Sequence, residues 1–414
     1  MLVFKFGGAS IKNAEAIKNM ASIIKKYSNE RLLVVVSAMG KTTNALENIL
    51  SKSRKDESIA DEIRLLKEYH LNIVAELFET EAALIEQLSS IFSDLDKALV
   101  SEASYDEHYD QVVSKGELLS STIVARYLNS TGINTTWVDS RNHIRTDDNF
   151  RAAYVNWTDS QAEINKLNSV LDQGIVLTQG FIGKAENGKT TTLGREGSDF
   201  SAAVFATCLN ADSVTVWKDV PGILNADPKL VAGAQLFNQL PYKEAAEMTY
   251  YGASVIHPKT IKPLANKNIP LYVRSFDHPD EPGTIIHQCE LEAVLPTTII
   301  KTDQCLVSFR VIDFTFINEE NLSLIFGELA KLDIKINIMQ NSAISFSIVI
   351  DYRPDKVEAL LEHMKDHFEI RYNTGLVLVT IKNYQQNQID EYRKGKKILL
   401  EQISRNNYRA LIGN

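Results

Sequence analysis

Short apolar runs bounded by glycine or polar residues mark the predicted strands in the first part of the chain. Residues 2–6 (LVFKF) and 32–36 (LLVVV) are the clearest of them. The second run is apolar throughout, which is typical of a strand covered on both faces of a parallel sheet. Further strands are predicted at 135–138, 174–179 and 213–217, with helices between them. This alternation predicts an α/β fold whose mostly parallel central sheet is sandwiched by helices.

The stretch between Gly40 and Gly116 contains neither glycine nor proline. Its apolar residues recur at helical spacing, as at Ile63, Leu66 and Ile73. We therefore predict a helical insertion in the α/β core, covering about residues 45–115.

The pattern changes near residues 284–303. From Cys305 onward it predicts a strand, a helix, two strands, a helix and a further strand, which is the order of a βαββαβ unit with a ferredoxin-like α+β fold. A charged helix is predicted from there to the end, so a second unit of this kind would be incomplete. We predict two domains, at residues 1–290 and 300–414.

Composition narrows the possible partners of the 414-residue chain. Its net charge of −9 argues against a nucleic-acid binder, which needs a basic face. The N-terminus lacks the pattern of a signal peptide and the apolar runs are too short to span a bilayer, so we expect no membrane partner and a cytoplasmic location. Cys208, Cys289 and Cys305 are too scattered for a disulfide framework or a CxxC metal site.

Two glycine-containing loops carry the candidate chemistry. Lys5-Phe6-Gly7-Gly8 follows the first strand, and residues 192–199 (TLGREGSD) precede a predicted helix. Glycines let backbone N–H groups approach a ligand, and the first N–H groups of a helix face an anion. Together the loops suggest a cradle for a polyphosphate on one side and a carboxylate on the other, which favours phosphoryl transfer to a small acid.

Each of these residues also has a purely structural interpretation. Lys5 is equally compatible with a surface lysine before a tight turn. Ser198 and Asp199 are compatible with helix N-caps. Glu117, which precedes an apolar helical run, is compatible with an acid favoured by the helix dipole.

Six motifs follow one another along the chain. They are KFGGAS (5–10), VVVSAMGKTTNAL (34–46), GELLS (116–120), TLGREGSDFSAA (192–203), VWKDVPGILNADP (216–228) and YGASVIHP (251–258). In this order they resemble the motifs of the aspartate kinases of the amino-acid kinase family, and the region 305–414 is similar to the paired ACT regulatory domains of that family.

The resemblance implies ATP-dependent phosphorylation of the β-carboxylate of L-aspartate to 4-phospho-L-aspartate, the first step toward lysine, threonine and methionine. It also implies ATP and Mg²⁺ as cofactors and a homodimer formed through the ACT-like region.

The resemblance also implies roles for single residues. Lys5 would stabilise the transferring phosphoryl group, and Asp199 would orient Lys5 and help to hold the substrate amine. Arg195 would bind the α-carboxylate of aspartate, and Glu117 its ammonium group. The full set implied is Lys5 and Asp199 for catalysis; Ser37, Thr43, Glu117, Arg195 and Ser198 for the substrate; and Gly7, Gly8, Lys218, Asp219, Lys229 and Ser254 for the nucleotide.

Two positions depart from the family pattern. Ser254 stands where a phosphate-binding lysine is usual, and we expect Lys259 or Lys218 to supply the missing charge. The turn that carries the effector site in related feedback-inhibited enzymes reads Asn341-Ser342-Ala343 and lacks a carboxylate for an effector amine. We therefore predict weak or absent inhibition by lysine.

Two alternatives remain from the sequence. One is a kinase of the same fold that acts on another acid, such as glutamate or N-acetylglutamate. The other is a non-catalytic sensor of an amino acid or nucleotide, which Ser254 and the short C-terminal region suggest.

Overall fold

The computed structural model describes residues 1–253, 255–290, 295–312 and 315–413. The chain forms two compact units. The first contains Met1–Ile223, Leu236–Thr249 and the described residues from 255 to 290. The second contains Leu224–Gln235, Tyr250–Ala253 and the described residues after 294, so two short segments depart from a simple division near residue 290.

The first unit is built on an eight-stranded sheet of order β3-β5-β2-β1-β8-β10-β11-β9. Strands β3 to β10 of that order run parallel, and only β11 pairs antiparallel with β10. Strands β4, β6 and β7 form a separate three-stranded sheet. The strands are Leu2–Phe6 (β1), Leu32–Val36 (β2), Thr135–Val138 (β3), Arg145–Thr146 (β4), Ile175–Gln179 (β5), Ile182–Ala185 (β6), Thr190–Thr192 (β7), Ser213–Lys218 (β8), Gln239–Pro241 (β9), Leu271–Ser275 (β10) and Thr284–His287 (β11).

Helices cover this sheet, and five of them follow one another between β2 and β3. The apolar residues of β2 are all fully buried, and Leu32, Val34 and Val36 pack with helical residues in one large core. Residues Gly8–Ile11 and Ser140–Asn142 form short 3₁₀ turns. The helices are Ala14–Lys25 (α1), Thr42–Ser53 (α2), Ala60–Leu77 (α3), Ala82–Leu99 (α4), Tyr105–Val113 (α5), Lys115–Ser130 (α6), Trp157–Asn165 (α7), Asn168–Leu171 (α8), Gly197–Leu209 (α9), Tyr242–Tyr251 (α10) and Pro258–Asn266 (α11).

The second unit contains a six-stranded antiparallel sheet of order β13-β14-β12-β15-β17-β16. Its first six elements follow the βαββαβ order. The long strands β12 and β15 pair along their whole length, so they join the two halves of the sheet. The elements are Thr297–Val311 (β12), Glu319–Lys331 (α12), Ile336–Asn341 (β13), Ser345–Asp351 (β14), Pro354–Met364 (α13), Phe368–Lys382 (β15), Gln386–Arg393 (α14), Lys397–Ile403 (β16) and Asn407–Gly413 (β17).

The structure confirms the predicted fold class: a mostly parallel sheet between helices, a helical insertion, and a C-terminal α+β region. The prediction of a charged helix to the end of the chain is wrong. Helix α14 ends before Gly395, whose φ of 71° suits glycine, and two strands follow. The apolar side chains of Leu400, Tyr408 and Leu411 are buried there, so the second repeat contains two more strands than expected.

No helix among the described residues combines the length and apolar character needed to span a membrane.

Candidate active site

The carboxyl ends of three neighbouring parallel strands, β2, β1 and β8, meet at one edge of the main sheet. Lys5 lies near the end of β1, Ser37 follows β2, and Lys218 ends β8. At this edge the chain leaves the strands in loops, which is where ligands bind in open α/β sheets. Gly8 packs so tightly that a Cβ atom there would lie 2.7 Å from the carbonyl oxygen of Ala38, so these two loops require glycine to meet.

Asp199 lies between two lysines at this edge. Its carboxylate is fully buried, with Oδ1 2.6 Å from Lys5 Nζ and Oδ2 3.2 Å from Lys218 Nζ. Burial opposes its ionisation, yet the two ammonium groups hold the pKa of Asp199 below its ordinary value. Lys218 also donates to the carbonyl of Val255 and lies 3.7 Å from the Glu196 carboxylate, whose pKa is raised by burial. Asp199 therefore fixes two cations beside the glycine loop.

The loop that carries Arg195, residues 193–196, is called the arginine loop below and leads into helix α9. Glu196 is the N-cap residue of this helix, at a left-handed φ of 55°. Ser198 and Asp199 lie within the first turn, so the alternative that they are N-caps is wrong. The first backbone N–H groups of α9 lie next to this loop and have no partner within the helix, which suits an anion. The Arg195 side chain is exposed and makes no ion pair with any residue in the described part of the chain.

Glu117 brings a second buried carboxylate to the site from helix α6. The residue is 2% exposed, and its Oε1 accepts a 3.4 Å hydrogen bond from the backbone N–H of Ala38. Its Oε2 has no hydrogen-bond partner among the described residues. Burial raises the pKa of Glu117 to about 8. An unpartnered buried carboxylate oxygen of this kind suits an ammonium group supplied by a ligand.

Lys5, Glu117, Arg195 and Asp199 border one cleft of about 510 Å³. The structure brings eight of the predicted site residues together in its wall, with charges of both signs. These residues are Lys5, Gly8, Ser37, Thr43, Glu117, Arg195, Ser198 and Asp199. Such a mixture of cations, anions and helix N–H groups fits a zwitterionic acid beside a phosphate.

The remaining predicted residues are placed less directly. Gly7 precedes the 3₁₀ turn next to Lys5, and Asp219 is exposed after β8. Lys229 belongs to the second unit, where its backbone N–H donates to Asp227 Oδ1 at 2.9 Å. Ser254 lies outside the described residues. The nucleotide roles of these four positions stay predictions.

The two lysines expected to compensate for Ser254 differ in their contacts. Lys218 contacts Asp199, as described above. Lys259 donates to the Leu193 carbonyl at 3.0 Å, lies 4.5 Å from the centre of the Phe200 ring, and has a pKa lowered by burial. Lys259 therefore stabilises the arginine loop through its hydrogen bond to Leu193.

The sequence reasoning missed a fully buried carboxylate, Asp110, on helix α5. It accepts hydrogen bonds from the backbone N–H groups of Arg151 and Thr192 and from Thr192 Oγ1 at 2.6 Å. Burial raises its pKa to about 6. An acid among the buried residues Tyr109, Val112 and Val113 was a usable signal, but its distant partners were not visible along the chain.

Comparisons with known proteins agree with this geometry. The model of the amino acid kinase family matches residues 1–275. The chain belongs to the amino acid kinase family. Its described strands β1 to β10 fall within the matched region.

Aspartokinases are among its similar relatives. The lysine-sensitive aspartokinase 3 of Escherichia coli K12 is 31% identical over 400 residues, which cover 92% of this chain and 86% of that protein. The crystal structure of E. coli aspartokinase III with aspartate and ADP (R-state) has a TM-score of 0.85 at 26% identity and covers 100% and 96% of the two chains. The same enzyme with lysine and aspartate (T-state) gives 0.82 at 26% identity, covering 99% and 95%. The resemblance drawn from the six motifs is confirmed.

Proposed function

We propose that this protein is an aspartate kinase, which transfers the γ-phosphoryl group of ATP to the β-carboxylate of L-aspartate. The observation that carries the proposal is one cleft bordered by two groups. They are the buried Glu117 carboxylate, whose Oε2 has no partner among the described residues, and the Lys5–Asp199 pair, which Lys218 contacts through Asp199. The first group suits an ammonium, and the second suits a phosphoryl group. The similar enzyme from E. coli binds aspartate and ADP.

Transfer in this site needs no covalent enzyme intermediate. An oxygen of the β-carboxylate, already ionised at neutral pH, attacks the γ-phosphorus, and the bond from that phosphorus to the β,γ-bridging oxygen breaks. The products are 4-phospho-L-aspartate and ADP. Lys5 and Lys218 neutralise charge on the phosphoryl group, while Arg195 and Glu117 hold the α-carboxylate and ammonium of aspartate. Because Asp199 fixes both lysines before the substrates arrive, their charge is preorganised.

Mg²⁺ fits this site as a companion of the nucleotide. Among the described residues no group of three or more histidine, cysteine or acidic side chains could hold a metal ion. Mg²⁺ commonly keeps one or two carboxylates plus phosphate oxygens and waters, and Asp199 and Glu196 are the carboxylates beside the phosphate loops. The ion would supply further neutralisation of the phosphates.

The decisive experiment is an ADP-release assay on the full chain with ATP, Mg²⁺ and L-aspartate. We expect ADP release that depends on L-aspartate, with formation of an acyl phosphate trapped by hydroxylamine. Faster release with L-glutamate or N-acetyl-L-glutamate would favour the related kinase. Binding of ATP without ADP release would favour the sensor.

The exposed apolar residues of the second unit bear on assembly. We propose a homodimer formed through the second unit, because its strand β13 is a sheet edge and Phe316, Phe326, Met339 and Ile344 of this unit are exposed. Light scattering of the full chain tests this. A role in lysine, threonine and methionine biosynthesis and a cytoplasmic location stay predictions.

A further inference from the structure

Arg151 occupies an unusual backbone conformation next to the cleft. It lies between β4 and α7 with a left-handed φ of 66°, which is uncommon for a residue with a side chain. Its backbone N–H donates to both carboxylate oxygens of Asp110, at 3.1 and 3.0 Å. A fully buried carboxylate thus holds this turn in place.

The same carboxylate connects the Arg151 turn to the arginine loop. Asp110 also accepts from the backbone and hydroxyl of Thr192, the last residue of β7. The Arg151 carbonyl lies against the loop, only 3.1 Å from where a Cβ of Gly194 would be. The turn that carries Arg151 and the loop that carries Arg195 are therefore fixed side by side.

The Arg151 side chain lies in the wall of the cleft, supported by aromatic rings. Its guanidinium carbon is 4.6 Å from the centre of the Tyr109 ring, and Tyr109 lines the same cleft. A guanidinium stacked on a ring keeps its N–H edge available for a carboxylate. Its ion pair with Asp106, at 3.2 Å, joins side chains that are 47% and 58% exposed, and such pairs are weak.

Two arginines in the wall of the cleft, Arg151 and Arg195, are available to bind an acidic ligand. Lys5 is committed to the buried Asp199. Arg195 has no ion pair among the described residues, and the partner of Arg151 is an exposed and replaceable one.

We propose that Arg151 is a second substrate-binding arginine, which exchanges its exposed ion pair with Asp106 for a carboxylate of the acidic amino acid. This inference rests on the proposed function, since it names a further residue of the same amino-acid site. It assigns Asp110 as a positioning residue that holds both arginines at the cleft.

The test measures the Kd of L-aspartate by calorimetry on the full chain, together with the KM values of both substrates. R151G removes the side chain and suits the left-handed φ. It should raise the Kd and KM for aspartate about tenfold, the scale of a lost charge-assisted contact, with the KM for ATP and the melting temperature unchanged. R151K, which keeps the charge without the planar fork, should fall between R151G and the unaltered protein.

D106N separates substrate binding from a structural ion pair. Because it removes the competitor of the substrate, it should lower the Kd for aspartate about two- to threefold. A merely structural pair would make D106N and R151G change affinity in the same direction. R64A breaks the Arg64–Glu68 pair, whose side chains are 56% and 51% exposed and do not line the cleft, so it is the matched control and should change neither the Kd nor the KM for aspartate.

The proposal is overturned if R151G leaves the Kd for aspartate within about twofold, if D106N weakens aspartate binding, or if R151G changes only the KM for ATP. Failure of the proposed function has a different signature. A protein that binds aspartate but releases no ADP would refute the kinase activity, while the calorimetric comparison would still decide the role of Arg151. A protein that binds no aspartate would overturn both.

Discussion

Charged side chains are buried around the cleft of the first unit, whereas many ion pairs of the second unit lie at its surface. Asp110 and Asp199 are fully buried, and Lys5 is 7% exposed. In the second unit the Arg371–Glu369 pair has side chains 79% and 47% exposed. Burying a charge is costly unless it is paired, and exposed pairs contribute little to stability. The buried charges in the cleft wall, Lys5, Glu117 and Asp199, therefore indicate a site whose charges serve a ligand.

Removing a buried cation should have the largest effect. K5M removes the ammonium group that contacts Asp199 and faces the glycine loop, so we expect kcat to fall by at least about 100-fold. Steady-state ADP release measures it. K365M in the second unit breaks the exposed Lys365–Glu362 pair and should leave kcat unchanged. Equal losses in the two variants would remove the contrast between the units.

Glu117 should make aspartate binding depend on pH. Because burial raises its pKa to about 8, Glu117 is mostly protonated at pH 6.5 and ionised above pH 8. An ammonium group binds the ionised form, so the KM for aspartate should fall between pH 6.5 and 8, by up to about tenfold per pH unit, and then level off.

E117Q should give a high KM for aspartate without this pH dependence, while E369Q in the second unit should keep the original profile.

E117Q should also change the stability of the protein. The folded state binds this proton more tightly than the unfolded chain, so Glu117 reduces stability as pH rises from about 4.5 to 8. The melting temperature of E117Q, relative to that of the unaltered protein, should therefore increase as the pH rises from 5 to 8. A KM for aspartate that rises between pH 6.5 and 8 would contradict the assignment of Glu117 as the group that binds the ammonium.

The smallest effect is expected in the second unit. The turn after β13 reads Asn341-Ser342-Ala343, with the Ser342 N–H donating to the Ser345 carbonyl at 2.8 Å, and it carries no carboxylate for an effector amine. Millimolar L-lysine should change the rate by less than about twofold, since one charge-assisted contact is missing. Abolition of activity by lysine in a steady-state assay would show that this unit recognises the effector by other groups.

Local pattern predicted most of the first unit because several of its strands are continuous apolar runs and the stretch between Gly40 and Gly116 contains no helix breaker. The run 32–36 is a fully buried strand as expected, and the glycine-free stretch is helical. The end of the chain was predicted wrongly because strands β16 and β17 mix charged and apolar residues, and their antiparallel partners decide their structure. The apolar run 376–381 predicts the last strand of the βαββαβ unit, but β15 begins at Phe368 because its first residues pair with β12.

The sequence by itself determined the glycine loops, the residue types of the site and its resemblance to a kinase family, because these lie in contiguous motifs. Only the tertiary structure decided which charges meet. Lys5, Asp199 and Lys218 are brought together by parallel strands and a helix, and Asp110 reaches Arg151 and Thr192 across 41 and 82 positions. Burial then sets their ionisation, which raises the pKa of Glu117 and holds that of Asp199 down. No local pattern carries that information, because desolvation and pairing depend on atoms that are distant in the chain.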